Sequence, residues 1–158
     1  MSTTNKMFLD SSFFTEGFRG NHLDFYRFFN TAPVLECFIN AVVCSEHWYN
    51  LLGLMGSASP LSLKERNRIA ATVNKDPLRF SFFRDFIILS MEKHTVELAL
   101  TFLSKHNLLS NDALILASYI ANQIPFIASH DSDFEAPCRA EGIILVTPEN
   151  YLQVLPKL

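Results

Sequence analysis

The side chains best placed to do chemistry are acids that close, or closely follow, short apolar runs. Asp10 follows Met7-Phe8-Leu9, Glu46 follows Ala41-Val42-Val43-Cys44-Ser45, and Asp131 follows Pro125-Phe126-Ile127-Ala128-Ser129 with Asp133 two residues on. Asp112 opens the apolar stretch Ala113-Leu114-Ile115-Leu116-Ala117. In open parallel α/β sheets, ligands bind beyond the carboxyl ends of the strands, where strand order reverses. Carboxylates converging there repel one another unless a cation neutralises them. An oxygen-only donor set suits Mg²⁺ or Mn²⁺. Such an ion polarises a phosphoryl oxygen and activates water against a phosphodiester. Taken singly, each acid has an ordinary role. Asp112 and Glu46 can complement a helix start, and Asp131 and Asp133 can be turn residues. Asp10 is different, because a charge that closes an apolar strand needs a partner. Jointly the acids point to a metal site.

Other chemistries fail on spacing. Ser129-His130-Asp131 names a triad, but neighbours on a strand end point in different directions and a triad must converge in space. Cys44 and His47, with Cys37 upstream, lack the Cys-x-x-Cys pair of a zinc site. A phosphatase of the Asp-x-Asp type fails at Ser12. Gly17-Phe18-Arg19-Gly20 and Gly53-Leu54-Met55-Gly56 have neither the spacing nor the Lys of a phosphate loop. A basic stretch carries 6 of the 13 cations between residues 64 and 84: Lys64, Arg66, Arg68, Lys75, Arg79 and Arg84. It reads either as a solvated helix face or as a track for RNA phosphates. The net charge of −3 becomes +2 once the five clustered acids are set aside, so the acidic balance does not exclude a nucleic-acid substrate.

The elements that must position these residues are legible as runs and periods. Strands are expected at 6–10, 40–45, 86–90, 125–129 and 142–147. Helical spacing covers 15–31, with a break at 17–20, and another helix starts near 46–48. Gly53, Gly56 and residues 57–60 mark a loop. Ser62-Leu63-Lys64-Glu65 has the form of a capping box opening a helix to about residue 73. Residues 93–106 read as an amphipathic helix with a stripe of Val96, Ala99, Leu100 and Leu103. Residues 112–122 read as a helix apolar almost all round. Continuous apolar strands alternating with helices imply a parallel sheet covered on both faces.

Several of these segments resemble one family. Met7-Phe8-Leu9-Asp10-Ser11-Ser12 resembles the opening strand and first Asp of PIN-domain ribonucleases, and 41–46 is similar to their second strand with its Glu. Residues 111–121, then 125–134 with Ser129-His130-Asp131-Ser132-Asp133-Phe134, are similar to the family's Asp-bearing helix, strand and Thr-Arg-Asp-x-Asp-Phe turn. The resemblance runs from residue 7 to about 151, and the size fits VapC-type toxins of toxin–antitoxin pairs. It implies a single PIN-like domain over 1–158: three α/β/α layers around a mostly parallel five-stranded sheet. It also implies a metal-dependent endoribonuclease. Asp10, Glu46, Asp112 and Asp131 would be its catalytic quartet and metal ligands for Mg²⁺ or Mn²⁺, with Asp133 as an auxiliary ligand. Ser11 and Ser129 would support the site. His130 stands where the family often carries Arg. Glu36 is a lower-ranked alternative to Glu46, because it precedes the strand. Lys64, Arg66, Arg68 and Arg79 are the candidate RNA contacts. The rival readings are a catalytically silent PIN-like module that docks RNA or protein, and another phosphate-processing enzyme on a doubly wound sheet.

Composition sets the class. The chain has 158 residues, 49% hydrophobic and 18% charged, which suits one domain with its own core. No apolar run approaches the roughly 18 residues of a membrane helix. Residues 1–6 lack the apolar core of a secretory signal, and three cysteines without framework spacing fit a reducing compartment. A soluble cytoplasmic protein with no membrane association is therefore expected. Phe supplies 15 of the 20 aromatic residues, in clusters at 13–14, 25–29 and 80–83. The two later clusters are candidate contacts for a homodimer or an antitoxin.

Overall fold

Five short apolar strands lie side by side in the order β3-β2-β1-β4-β5, and all four pairings are parallel. The computed structural model describes residues 5–31 and 35–155, so the expectation for residues 1–4 and the outer limits of the 1–158 domain lie outside the described residues. β1 is Lys6–Leu9, β2 Glu36–Asn40, β3 Ile87–Leu89, β4 Phe126–Ala128 and β5 Ile144–Val146. Between β1 and β2 run α1 (Ser11–Arg19) and α2 (Leu23–Thr31). Between β2 and β3 run α3 (Ala41–Gly56), α4 (Pro60–Glu65), α5 (Ile69–Val73), α6 (Pro77–Phe80) and a 3-10 turn at Phe82–Asp85. α7 (Lys93–His106) and α8 (Ser110–Ala121) carry the chain back across the sheet to β4. A 3-10 turn at Ser132–Phe134 and α9 (Glu135–Glu141) then precede β5, and α10 (Tyr151–Val154) follows it.

The first two crossovers step one way along the sheet and the later ones step the other way. Right-handed connection therefore puts the two helix groups on opposite faces, giving the three layers the sequence implies. The core is Met7, Phe8, Leu9, Ile39, Ile127 and Ala128 from the central strands, with Ala113, Ile115, Leu116 and Ala117 of α8 against them. β1 and β4 are neighbours at the point where strand order reverses. The crevice for a ligand lies at their carboxyl ends.

Five local expectations are corrected. Residues 41–45 are helix, and the second strand is β2, five residues earlier. Their apolar run suits a buried strand, but the buried Asn40 breaks the chain there. Its Oδ1 accepts from Val43 N–H at 2.9 Å as an N-cap, and its Nδ2 donates to Ser118 Oγ at 2.9 Å. α3 then runs through Gly53 to Gly56 instead of breaking into a loop. The helix opened at Ser62 starts earlier and ends sooner: Ser59 is the cap of α4, accepting from Ser62 N–H, and the chain breaks at 66–68, where Asn67 is left-handed. On α7 the buried row is Thr95, Ala99 and Phe102, leaving Val96, Leu100 and Leu103 at 51%, 68% and 36% exposure. α7 packs against α8, and Ala99 and Phe102 join the core, so the expected stripe is rotated by one residue. α1 begins at Ser11, capped by Asp10, ahead of the expected start at 15.

The Phe clusters divide between core and surface. Phe25 is buried and packs edge-on against Phe13, Phe29 and Tyr151, whereas Phe28 and Phe29 are half-buried. In the other cluster Phe82 lies against Phe14 and His47, and Phe83 against Trp48.

Candidate active site

Asp10 is the first residue beyond β1, held there by its own N–H donating to Ala128 O of β4 at 3.0 Å. It is 3% exposed, and its hydrogen bonds converge on one carboxylate oxygen. Oδ2 accepts from Ser12 Oγ at 2.6 Å, Ser129 Oγ at 2.8 Å and Ser12 N–H at 3.2 Å. Burial raises its pKa from the ordinary value, and the seryl hydrogen bonds oppose that rise. Asp10 is thus the partnered strand-end charge that the sequence required.

Glu46 reaches the same edge from the second turn of α3. Ser11 Oγ donates to its Oε2 at 2.7 Å, and Asn111 Nδ2 donates to its Oε1 at 2.7 Å. Asp112 stands in the first turn of α8, next to Asn111. Its pKa is raised to about 6, first by burial and then by the charges of Asp131, Glu46, Asp10 and Asp133. The other four predicted acids thus all bear on Asp112. Asp131 caps the 3-10 turn after β4, its Oδ1 accepting from Asp133 N–H at 2.9 Å, and its own N–H donates to Ser129 Oγ at 3.0 Å. Asp133 is exposed at the rim.

The structure also places the lesser candidates. Ser11 Oγ donates to Glu46, and Ser129 Oγ donates to Asp10. Glu36 begins β2 opposite Lys6, at the amino edge of the sheet and away from the acids. Lys64, Arg66 and Arg68 are exposed around the break between α4 and α5, and among the described residues none forms an ion pair. Arg79 is engaged: its Nε donates to Asp76 at 2.6 Å and its guanidinium lies 4.6 Å from the Phe18 ring centre. Three residues escaped sequence reasoning. Ser12 joins Asp10, Ser129 and the His130 N–H through one hydroxyl. Asn111 orients Glu46, and Tyr26 holds His130 at 2.8 Å across 104 residues. Only the Ser-Ser pair directly after Asp10 offered a signal.

Among the described residues no three acid, histidine or cysteine side chains form a ready ligating group. Oxygens of Glu46 and Asp131 are turned to Ser11, Asn111 and the Asp133 N–H instead. The donor chemistry nonetheless fits a hard divalent cation: every candidate is a carboxylate, and their shared field disfavours ionising Asp112 in a way that a cation would reverse.

Solved structures of similar shape include a toxin–antitoxin complex from Klebsiella pneumoniae, at 16% identity and a TM-score of 0.57, covering 90% of this chain and 97% of that one. Mycobacterium tuberculosis VapC20, a sarcin–ricin loop cleaving toxin, matches at 21% identity and 0.55, covering 83% and 94%. VapBC2 from Rickettsia felis, bound to a DNA fragment from its promoter, matches at 15% and 0.57, covering 90% and 98%. A comparison with curated protein sequences gives no match. The sequence profile of the PIN domain matches residues 7–140. With most of its length matched, from the first strand to the helix after the last acid, the chain belongs to the PIN domain family.

Proposed function

We propose that this protein is a divalent-metal-dependent endoribonuclease and the toxin of a toxin–antitoxin pair. The observation that carries the reading is the hydrogen-bonded gathering of acids at the point of strand reversal: Ser129 joins Asp10 to the Asp131 backbone, and Ser11 and Asn111, neighbours of Asp10 and Asp112, hold Glu46. Asp10, Glu46, Asp112 and Asp131 would hold Mg²⁺ or Mn²⁺, with Asp133 at the rim. The ion, when bound, polarises the scissile phosphoryl group and lowers the pKa of water.

The chain's own residues do the rest. Ser12 and Ser129 fix Asp10, and Ser11 and Asn111 fix Glu46, so the acids are oriented before substrate arrives. Lys64, Arg66 and Arg68, exposed and without an ion pair among the described residues, offer cations for RNA phosphates. The toxin reading is supported by the similar structures, which include toxin–antitoxin complexes. Leu54, Leu61 and Leu78 leave apolar surface on the arm formed by α3, α4 and α6, which an antitoxin or a second copy would cover. No helix among the described residues is long and apolar enough to cross a membrane.

The test is hydrolysis of a mixed-sequence single-stranded or stem-loop RNA. Cleavage should require Mg²⁺ or Mn²⁺, stop in EDTA and be lost in Asp112→Asn. RNA binding without cleavage under any metal would instead establish the silent docking module.

A further inference from the structure

The flank of the acid cleft beyond Asp131 carries His130 in a hydrogen-bond chain that fixes its tautomer. A tyrosine hydroxyl has one proton to give. Tyr26 gives it to the carbonyl oxygen of Phe13 at 2.6 Å, a group that can only accept. The 2.8 Å contact between Tyr26 and His130 Nε2 must therefore run from Nε2–H to the tyrosine oxygen. In the neutral ring that leaves Nδ1 bare, as an acceptor. Tyr26 is itself fixed: its ring lies so close to α1 that a Cβ on Gly17 would come within 2.9 Å of it. Its ring is also nearly parallel to that of His130, at an interplanar angle of 19°.

Nδ1 of His130 has no partner among the described residues and is not sealed from solvent. The ring borders a cleft of about 460 Å³ lined by Ser12, Glu16, His22, His130, Asp131 and Ser132. Among the described residues no Lys or Arg lines it. Glu16 is already engaged by Arg19 and Asn21. A phosphate entering here meets carboxylates and no fixed cation, whereas a group that donates a hydrogen bond meets a positioned acceptor. The backbone N–H of His130 donates to Ser12 Oγ at 2.9 Å, and Ser12 Oγ donates to Asp10 at 2.6 Å. His130 thus stands two hydrogen bonds from one acid and one residue from another. A nucleotide with its phosphate at the acids has its own sugar within reach. The donor on that sugar is the 2′-hydroxyl, the group that distinguishes RNA from DNA.

We propose that His130, fixed by Tyr26, reads the ribose of the nucleotide flanking the scissile phosphate, its bare Nδ1 accepting the 2′-hydroxyl proton. His130 is then a specificity residue and Tyr26 a positioning residue, and the proposal rests on the nuclease reading above. The experiment uses a single-stranded oligoribonucleotide with its cleavage position mapped, then the same oligonucleotide with 2′-deoxy or 2′-fluoro at each flanking nucleotide. Fluorine cannot donate. In wild type one of the two positions should slow cleavage about tenfold. In His130→Ala the all-RNA oligonucleotide should be slowed similarly and the 2′ substitutions should cost nothing more. Nitrogen-15 spectra should find the wild-type His130 protonated at Nε2, with Tyr26→Phe shifting it towards a mixture of tautomers.

Equal 2′ penalties in wild type and His130→Ala, or a wild-type His130 protonated at Nδ1 alone, overturn the proposal and leave the nuclease reading standing. A penalty that appears only on removing a base amino group also overturns it. Failure of wild type to cleave RNA with Mg²⁺ or Mn²⁺ overturns both.

Discussion

The acid edge of the sheet and the arm from residue 60 to 85 are built on opposite plans. At the edge, Asp10 and Glu46 are held by seryl, amide or backbone partners, and those partners come from α1, α8 and the end of β4. On the arm the helices are four to six residues long, and Lys64, Arg66 and Arg68 project into solvent. The first plan fixes charge in space and the second spreads it. Hydrolysis needs the former, because transition-state stabilisation depends on groups already in place. Tracking a variable RNA backbone tolerates the latter, because phosphate contacts carry no sequence information.

The largest way to break this contrast is at Asp112. Asp112→Asn keeps shape and removes the charge, so RNA cleavage should fall on the order of 10³-fold or more, while the fold is retained. Cleavage assays and a thermal melt check both halves. Residual activity near wild type would mean that the fixed charges at the edge are not the machinery.

His47 joins the two regions, since it follows Glu46 on α3 and packs under Phe82 of the arm, 4.6 Å between ring centres. It is 4% exposed, its Nδ1 has no partner among the described residues, and burial alone lowers its pKa to about 4. The unfolded chain holds this proton near the usual histidine value, about 6.5, so it binds more protons than the folded chain between those limits. The contribution of His47 is therefore complete above about pH 6.5 and costs about 3 kcal/mol by about pH 4. Asp112 and Asp10, whose pKa values are raised, contribute the opposite trend, so the check is the difference between wild type and His47→Leu in denaturant melts, which should grow by that amount across the range.

On the arm the expected effect is smaller. Replacing Lys64, Arg66 and Arg68 together by Ala should weaken RNA binding roughly tenfold at low salt and reduce the slope of log affinity against log salt by about 2. An unchanged salt slope would return these cations to a solvated face.

The same two regions differ in how far the sequence discloses them. Four of the five strands sit within the apolar runs, and α7 has its expected bounds, because each rests on a local pattern. Asp10 and Asp131 stand just beyond β1 and β4, where the local pattern puts them, whereas Glu46 lies inside α3 and not after a strand. What the sequence hid was long-range. Asn40 looks like any polar residue, yet its cap to Val43 and its bond to Ser118, 78 residues away, turn an apparent strand into α3. Asn111 and Tyr26 matter through partners 65 and 104 residues distant. On the arm the capping box was misplaced by three residues, because Ser59-Pro60 and Ser62 are competing local starts and packing against α3 decides between them.

The smallest effect sharpens the comparison most, because it separates strain from structure at the acid edge. Asp131 is the foremost of the charges that raise the pKa of Asp112. Its Oδ1 also caps the Asp133 N–H at 2.9 Å, a role that an Asn oxygen can keep. Asp131→Asn should thus relieve repulsion without removing the cap. Both groups are partly solvated, so the gain is modest: up to about 1 kcal/mol, or a few degrees in the metal-free melting midpoint. The pKa of Asp112 should fall towards the ordinary range at the same time. Added Mn²⁺ should raise the wild-type midpoint by mass action, since the site exists only in the folded chain, and should raise that of the variant much less. Asp112 is the poorer choice for this measurement, because its charge also complements the start of α8 and that loss would mask the gain. Melts of both proteins with and without Mn²⁺ decide the matter. A lower metal-free midpoint with an intact Mn²⁺ shift would make Asp131 a turn residue and move the metal site to the other acids.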